Sequence, residues 1–481
     1  MRYTALALDY DGTIAKDGLV APHVQAGLEA LKASGRKLLL VTGRELEELL
    51  GIFPGITAFD RVVAENGALL YRPATGERVE LGEPPPRALI DALKVAGIPL
   101  AVGHTILATV RPHETVVLEA IARLGLEQQV IFNKGAVMVL PPGCNKASGL
   151  KTALAELGLS PRNVVAGGDG ENDHAMLEFA EYAVATANGI ATLKDAADYV
   201  TKATHGEGIL EVVQGLLDND LRDLPPRRRR RALCLGRDAA GVDVAIPSRR
   251  TSLLVAGEPR DTTALAITLL ERLCAAGYQF CALDTRGDYL DFHGAVVFGT
   301  MDHPPALEEM LTALDKPDVQ TVACLAAVPT AERAAFVSRL RQPLRALRAT
   351  TGRPHWFLVD EAHELVPASA ESEAYEGAEN VIFVTSDPAA MAPALLAAVD
   401  GVATSGDRAG AMLESLARAV GWPAPTLPAR APRADEALVW FRKSERPVAL
   451  VRIGAAGKET QIPRGEPREK SAEVGQVLRR A

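Results

Sequence analysis

The chain opens MRYTALALDYDGT (Met1–Thr13), and this stretch decides how the rest is read. Tyr3 to Leu8 is a short apolar run that stops at two aspartates two residues apart, Asp9 and Asp11, and then at Gly12. An apolar run of that length, closed by a turn signal, predicts a buried strand. Outward from it, Gln25 to Ser34 carries apolar positions at helical spacing, Gly35 stops the helix, and Arg36 to Val41 (RKLLLV) is a second strand. Asn163 to Ala166 and Tyr182 to Ala185 continue the alternation. Strand, helix, strand in this rhythm predicts a parallel sheet with right-handed crossovers.

Pro84 to Pro86 interrupt that rhythm, and a small inserted α+β unit is expected over residues 84–142, ending in VMVLPP (Val137–Pro142). The core is then residues 1–83 and 143–217. LRDLPPRRRRR (Leu221–Arg231) joins two prolines to five arginines, so 218–232 reads as an exposed, self-repelling linker. A patch for nucleic acid or an acidic partner is the sharper alternative for that run. Beyond it, Arg250 to Ala256, Tyr278 to Leu283, Val319 to Ala326, Trp356 to Val359 and Val381 to Thr385 are strand-like and separated by helical patterns. They predict a second doubly wound α/β domain over 233–460, with a proline-rich loop at Trp422 to Arg433 and a weakly ordered tail over 461–481.

A length of 481 residues fits two or three domains, and 48% hydrophobic with 23% charged residues excludes wholesale disorder. No uninterrupted apolar stretch long enough for a membrane span occurs, and the N-terminus reads as a strand rather than a signal peptide. Five cysteines without CxxC spacing exclude a disulfide scaffold or zinc ribbon, so a cytoplasmic setting with no membrane partner is expected. The net charge of −9 gives no global attraction to nucleic acid.

The chemistry gathers at strand ends, where ligand sites of open parallel sheets lie. Asp9 and Asp11 would repel each other unless a cation joined them, and Mg²⁺ is the hard ion that takes carboxylate and phosphate oxygens. Thr42 and Gly43 follow the second strand in VTGR; Lys146 stands at a helix start in GCNKASGL. NVVAGGDGENDHAML delivers Asp169 and Asp173, with Gly168 and Gly170 allowing close backbone approach. Singly these are a solvated turn, an acidic loop and a surface lysine; in this order they point to one phosphoryl site. His174 reads as a first-turn helix residue, Cys144 as packing, and His104 and His113 as inserted-unit residues that could touch substrate.

The order DYDGT, VTGR, NKASGL, GDGEND, with AENGA at Ala64 to Ala68, resembles the haloacid dehalogenase superfamily of phosphohydrolases. Within it the inserted unit resembles the α/β-capped branch of Cof-type sugar phosphatases, sucrose-phosphate phosphatases and phosphoglycolate phosphatases. The resemblance covers roughly residues 1 to 215. It implies a Rossmann-like core with a small α+β cap, and a Mg²⁺-dependent phosphatase acting on a small phosphorylated metabolite. It further implies Asp9 as nucleophile, Asp11 as general acid and base, and Thr42 and Lys146 as holders of the phosphoryl group. The implied metal ligands are Asp9, Asp11 through its carbonyl, Asp169 and Asp173, with Gly12, Gly43, Arg44, Asn66 and Asn172 lining the site.

The second half has a nucleotide-site outline. Ser252 to Ala256 runs into Gly257 and a helix, and HWFLVDEAHELVP (His355–Pro367) ends a strand at Asp360 and Glu361. This resembles HerA/FtsK-like P-loop motor ATPases. The phosphate loop departs from the pattern: Gly257-Glu258-Pro259-Arg260-Asp261-Thr262-Thr263 has no lysine, and Glu258 and Asp261 bring negative charge to where phosphates would sit. The expectation is a degenerate P-loop-like domain, a pseudo-ATPase serving as scaffold, self-association surface or docking site for a protein partner. The alternatives are an interaction or sensor protein binding nucleic acid or a motor partner through Arg227 to Arg231 and Arg341 to Arg348, or an active ATPase with an unorthodox loop.

Overall fold

The structure is a computed structural model that describes residues 1–227, 230–368, 379–442 and 447–453; the tail expected over 461–481 lies outside these residues. Ala5–Leu8 is a strand buried at all four positions, because parallel neighbours flank it on both edges. The eight-stranded sheet around it runs, edge to edge, Tyr199–Val200, Tyr182–Ala185, Val164–Gly168, Ala5–Leu8, Lys37–Val41, Arg61–Ala64, Leu69–Arg72 and Glu77–Glu80. The last two are antiparallel, and Glu77–Glu80 (ERVE) had no apolar signature because it is an edge strand facing water.

Between this sheet's two sequence halves sits a four-stranded antiparallel sheet, in the order Ala101–Val102, Leu107–Val110, Ala136–Leu140, Gln129–Asn133. Helices Arg87–Val95 and Glu114–Leu124 pack on one face through Leu89, Leu93, Val117 and Ile121. Its other side contributes Ile106, Met138 and Leu140 to a small cluster with Ala68 and Cys144 of the larger unit. That apolar contact lays the cap over the strand ends.

The second half is α/β as well, built on an eleven-stranded sheet. Ser252–Ala256, Phe280–Asp284, Gln320–Cys324, Trp356–Val359 and Val381–Thr385 are all parallel strands, joined by Ala295–Phe298 and Gly401–Thr404. Glu436–Phe441, Ala449–Arg452, Leu233–Arg237 and Asp243–Ile246 extend one edge antiparallel.

The two sheets meet at the amino ends of their strands. Tyr278 Oη donates to Glu181 (2.8 Å), Ser248 Oγ to the same carboxylate (3.2 Å), and the ring of His355 meets Asn163 Oδ1 at 3.1 Å. Arg249 stacks on Tyr182 with 5.0 Å from guanidinium to ring centroid. Burial, with the charges of nearby arginines, pushes His355 well below the ordinary imidazole range. Glu181, Asn163, Tyr278 and His355 all stand just before strands, so the carboxyl ends of both sheets point away from the seam.

The arginine run does not behave as an exposed linker throughout. Arg230 donates to the carbonyls of Glu178, Ala180 and Glu181 and pairs with Asp198 at 2.9 Å. The carbonyls left open at the end of helix His174–Phe179 accept a cation, and this outweighs the self-repulsion of the run.

Candidate active site

Leu8 ends the central strand, and the chain turns at Gly12 (φ +84°), where a Cβ would lie 2.1 Å from Asp169 Oδ2. That contact, not flexibility, requires glycine there. Asp9 is buried beside Lys146, whose Nζ lies 2.6 Å from Asp9 Oδ1 and 2.6 Å from Asp173 Oδ1. Lys146 is the first residue of helix Lys146–Glu156, and Asn145 caps that helix in a reciprocal box with Ser148. The cap fixes where the chain enters the helix and so where the lysine points. Asp173 Oδ2 accepts from the backbone N–H of Asp169 (2.9 Å) and Gly170 (2.8 Å), which leaves Oδ1 for the lysine. Gly168 makes room, since a Cβ there would meet Asp173 at 2.5 Å.

Asp9, Asp169 and Asp173 each offer an oxygen within 4.8 Å of the others. Burial and the charge of Asp173 push the Asp9 carboxyl up to about 7, against the pull of Lys146. Burial also raises Asp169, and the Lys134 ammonium opposes that. Burial works to lower Lys146, but the Asp173 and Asp9 carboxylates outweigh it and hold the ammonium charged. With all three acids ionised, the cluster exceeds Lys146 and the half-exposed Lys134 by one negative charge, from three minus two, and the raised Asp9 and Asp169 carboxyls express that shortage of positive charge. An all-oxygen donor set with a charge deficit fits a hard divalent cation.

The other expected residues gather around this cluster. Thr42 is buried at the next strand end, its Oγ1 accepting from the Arg44 N–H (3.1 Å). Gly43 faces Asn172, Asn66 and Met138 of the cap. Asn172 Nδ2 donates to Asn66 Oδ1 (2.9 Å), while Asn66 Nδ2 and Asn172 Oδ1 are buried without a partner. Such orphaned polar atoms are costly unless a ligand meets them. Asp11 stands apart from the acid cluster. Arg44 grips it with two hydrogen bonds, Nε to Oδ2 at 2.6 Å and Nη2 to Oδ1 at 2.8 Å.

Four more residues reach the site without having been assigned a role from the sequence: Lys134 and Asn188 lie in no motif, while Thr13 and Glu65 lie inside DYDGT and AENGA. Lys134 reaches in from the cap hairpin, 2.6 Å from Asp169 Oδ2 and 3.1 Å from the Asp11 carbonyl. Asn188 donates to the Gly12 carbonyl (2.8 Å), and Thr13 Oγ1 to Asp169 (3.3 Å). Glu65, fully buried with φ +50°, accepts from the N–H groups of His104, Thr105 and Ile106 and so clasps a cap loop. His174 lies against Thr192 (3.2 Å) instead of the acids.

A family profile described as haloacid dehalogenase-like hydrolase matches residues 6–96 and 127–213. A phosphoglycolate phosphatase of Methanothermobacter thermautotrophicus is 33% identical over 218 residues, which are 44% of this chain and 97% of that protein. The chain belongs to the haloacid dehalogenase-like hydrolases. A phosphoglycolate phosphatase of Natronomonas pharaonis is likewise 33% identical, over 44% of this chain and 98% of its own. A solved haloacid dehalogenase-like hydrolase from Bacteroides thetaiotaomicron aligns with 44% of this chain and 99% of its own at 20% identity, with a TM-score of 0.41. The hydrolase is an enzyme of the phosphoric monoester class, carried by its N-terminal half.

The hydrolase's second half presents a different arrangement. Strand Ser252–Ala256 passes through Gly257 and Glu258 straight into helix Pro259–Ala275, so no loop is left to wrap a phosphate. Thr262 Oγ1 turns back to the carbonyls of Glu258 (3.2 Å) and Pro259 (3.0 Å), and Thr263 Oγ1 donates to Asp288 (3.3 Å). Glu361 is tied to Arg286 at 2.5 Å and accepts from Ser386 Oγ at 3.0 Å. Asp360 accepts from Thr285 and Tyr289, each at 3.3 Å. Among the described residues, no helix is long and apolar enough to cross a membrane.

Proposed function

We propose that the N-terminal half hydrolyses a small phosphomonoester, of the phosphoglycolate or sugar-phosphate class, by way of an aspartyl-phosphate on Asp9, with Mg²⁺ as the cation. The observation that carries this is Asp9 itself: a strand-end carboxylate held 2.6 Å from a buried lysine, in a cluster short of positive charge. An Asp9 oxygen attacks phosphorus and the ester P–O bond breaks; Asp11 gives its proton to the departing alkoxide. Water then attacks phosphorus with Asp11 as base, the Asp9–phosphorus bond breaks, and phosphate leaves with Asp9 restored. Thr42 and Lys146 hold the phosphoryl oxygens, and Asn66 and Asn172 present their orphaned amide atoms. A divalent cation held by Asp9, the Asp11 carbonyl and Asp169, with Asp173 in support, supplies charge neutralisation. The bidentate Arg44 contact positions Asp11 and must loosen for proton transfer.

We read the second half as a P-loop-like domain that has lost ATP turnover and serves as scaffold or docking site in the cytoplasm. The short Gly257–Glu258 passage and the engaged hydroxyls support this. The test is phosphate release from a panel of small phosphomonoesters, with and without Mg²⁺, comparing wild type with Asp9→Asn. Mg²⁺-dependent turnover lost in the variant is the expected result. Turnover that survives in the folded Asp9→Asn protein would overturn the mechanism.

A further inference from the structure

Lys134 lies at the tip of the cap hairpin between Gln129–Asn133 and Ala136–Leu140. Lys134 (φ +46°) and Gly135 (φ +90°) both adopt left-handed conformations, the two-residue turn that matches strand twist and stiffens a hairpin tip. The tip is held against the core: the Lys134 N–H donates to Glu171 (3.3 Å), and Asn133 comes up against Gly170. From there the ammonium enters the acid cluster and takes two oxygens, Asp169 Oδ2 (2.6 Å) and the carbonyl of Asp11 (3.1 Å). Lys134 is the farthest-travelled member of the site, coming from the cap while both its partners belong to the core.

Those are two of the oxygens assigned above to the divalent cation, so this inference rests on that reading. An ammonium 2.6 Å from the Asp169 carboxylate and 3.1 Å from the Asp11 carbonyl would stand within a few ångströms of a divalent ion held by the same two groups, and in this partly buried site the two positive charges repel strongly. We propose that Lys134 is an internal cation that competes with the divalent ion for Asp169 and Asp11, so that metal binding and docking of the cap hairpin oppose each other. The Lys134 side chain is 42% exposed, so it can swing out without unpacking the cap. The cap's second clasp, Glu65 on the loop of His104 to Ile106, uses none of the metal oxygens and keeps the cap attached when the hairpin lets go. Linkage then requires reciprocity: the ion weakens the hairpin contact by the factor by which the contact weakens the ion.

The test uses the full chain and MgCl₂ alone. Calorimetric titration of wild type, Lys134→Gln and Lys134→Arg is paired with amide hydrogen exchange of residues 129–140 at zero and saturating Mg²⁺. Removing the competing charge is expected to tighten Mg²⁺ binding about 10-fold or more in Lys134→Gln, since apparent affinity is reduced by the fraction of protein in the competent state. Lys134→Arg is expected to stay within about 3-fold of wild type, and Mg²⁺ is expected to speed hairpin exchange in wild type but not in Lys134→Gln. Equal Mg²⁺ affinity in wild type and Lys134→Gln, or hairpin exchange slowed by Mg²⁺ in wild type, overturns the competition while leaving the metal reading in place. Absence of Mg²⁺ binding in all three proteins overturns both.

Discussion

Both parallel sheets end in acids at equivalent places, yet the acids are used differently. In the first, Asp9, Asp169 and Asp173 turn free oxygens toward one another and toward Lys146. Asp173 spends only one oxygen on its own loop. In the second, Asp284 spends both: Oδ1 accepts from the N–H groups of Arg286, Gly287 and Asp288, and Oδ2 from Tyr289. Glu361 is consumed by Arg286, Ser386 and His363. A strand-end acid is therefore no site by itself. It becomes one when its oxygens are left over after the local turn has been satisfied, and when a buried cation pulls several such acids together.

The sharpest way to break this comparison is to remove one carboxylate charge from each end. Asp9→Asn is expected to cut phosphate release on the order of 10⁴-fold or more, as loss of a nucleophile does. Glu361→Gln is expected to leave phosphate release unchanged and to show no ATP turnover to lose. ATP hydrolysis in wild type that vanishes in Glu361→Gln would put a working site at the second sheet. The next contrast is in stability. Lys146→Met strands two buried carboxylates, and breaking a buried pair costs about 3–5 kcal/mol. Arg286→Met removes a half-exposed partner and leaves the buried Glu361 its contacts with Ser386 and His363, so its cost is expected to be smaller, at about 1–2 kcal/mol. Denaturant unfolding followed by circular dichroism measures both, and equal losses would show that the two clusters are held alike.

What the sequence made visible follows the same division. Asp9, Lys146, Asp169 and Asp173 were legible because each sits at a strand end or helix start with glycines that the geometry demands, as at Gly12 and Gly168. The five central strands of the second half were legible as unbroken apolar runs. Lys134 and Asn188 were not, because nothing local distinguishes a hairpin lysine or a loop asparagine until the fold brings distant segments together; Glu65 lay inside the quoted AENGA, but its clasp on the loop of His104 to Ile106 is visible only in the fold. Glu77–Glu80 stayed hidden because an edge strand facing water needs no apolar alternation. The arginine run misled for a related reason: its partners are carbonyls at and just beyond the end of a helix, 49 to 52 residues earlier for the three Arg230 contacts.

The last contrast concerns Asp360, the acid of the second sheet whose two oxygens accept only the long hydrogen bonds from Thr285 and Tyr289. Burial, followed by the charges of Asp284 and Glu361, pushes the Asp360 carboxyl up to about 7. The folded protein then keeps this proton up to about pH 7, whereas the unfolded chain releases it near 3.9. The stability Asp360 contributes is full below about pH 4 and falls as pH rises toward about 7, where the folded carboxyl ionises, and is flat above. Asparagine cannot ionise, so the stability gained by Asp360→Asn over wild type should grow across that window to a few kcal/mol at pH 8. Asp9, raised into the same range, titrates alike in both proteins and cancels in the difference. Thermal unfolding of the pair at pH 5 and pH 8 reads the effect. A gap of the same size at both pH values would mean that Asp360 is already ionised at pH 5 in the folded protein. Its charge would then be matched by a cation, and the second sheet would resemble the first after all.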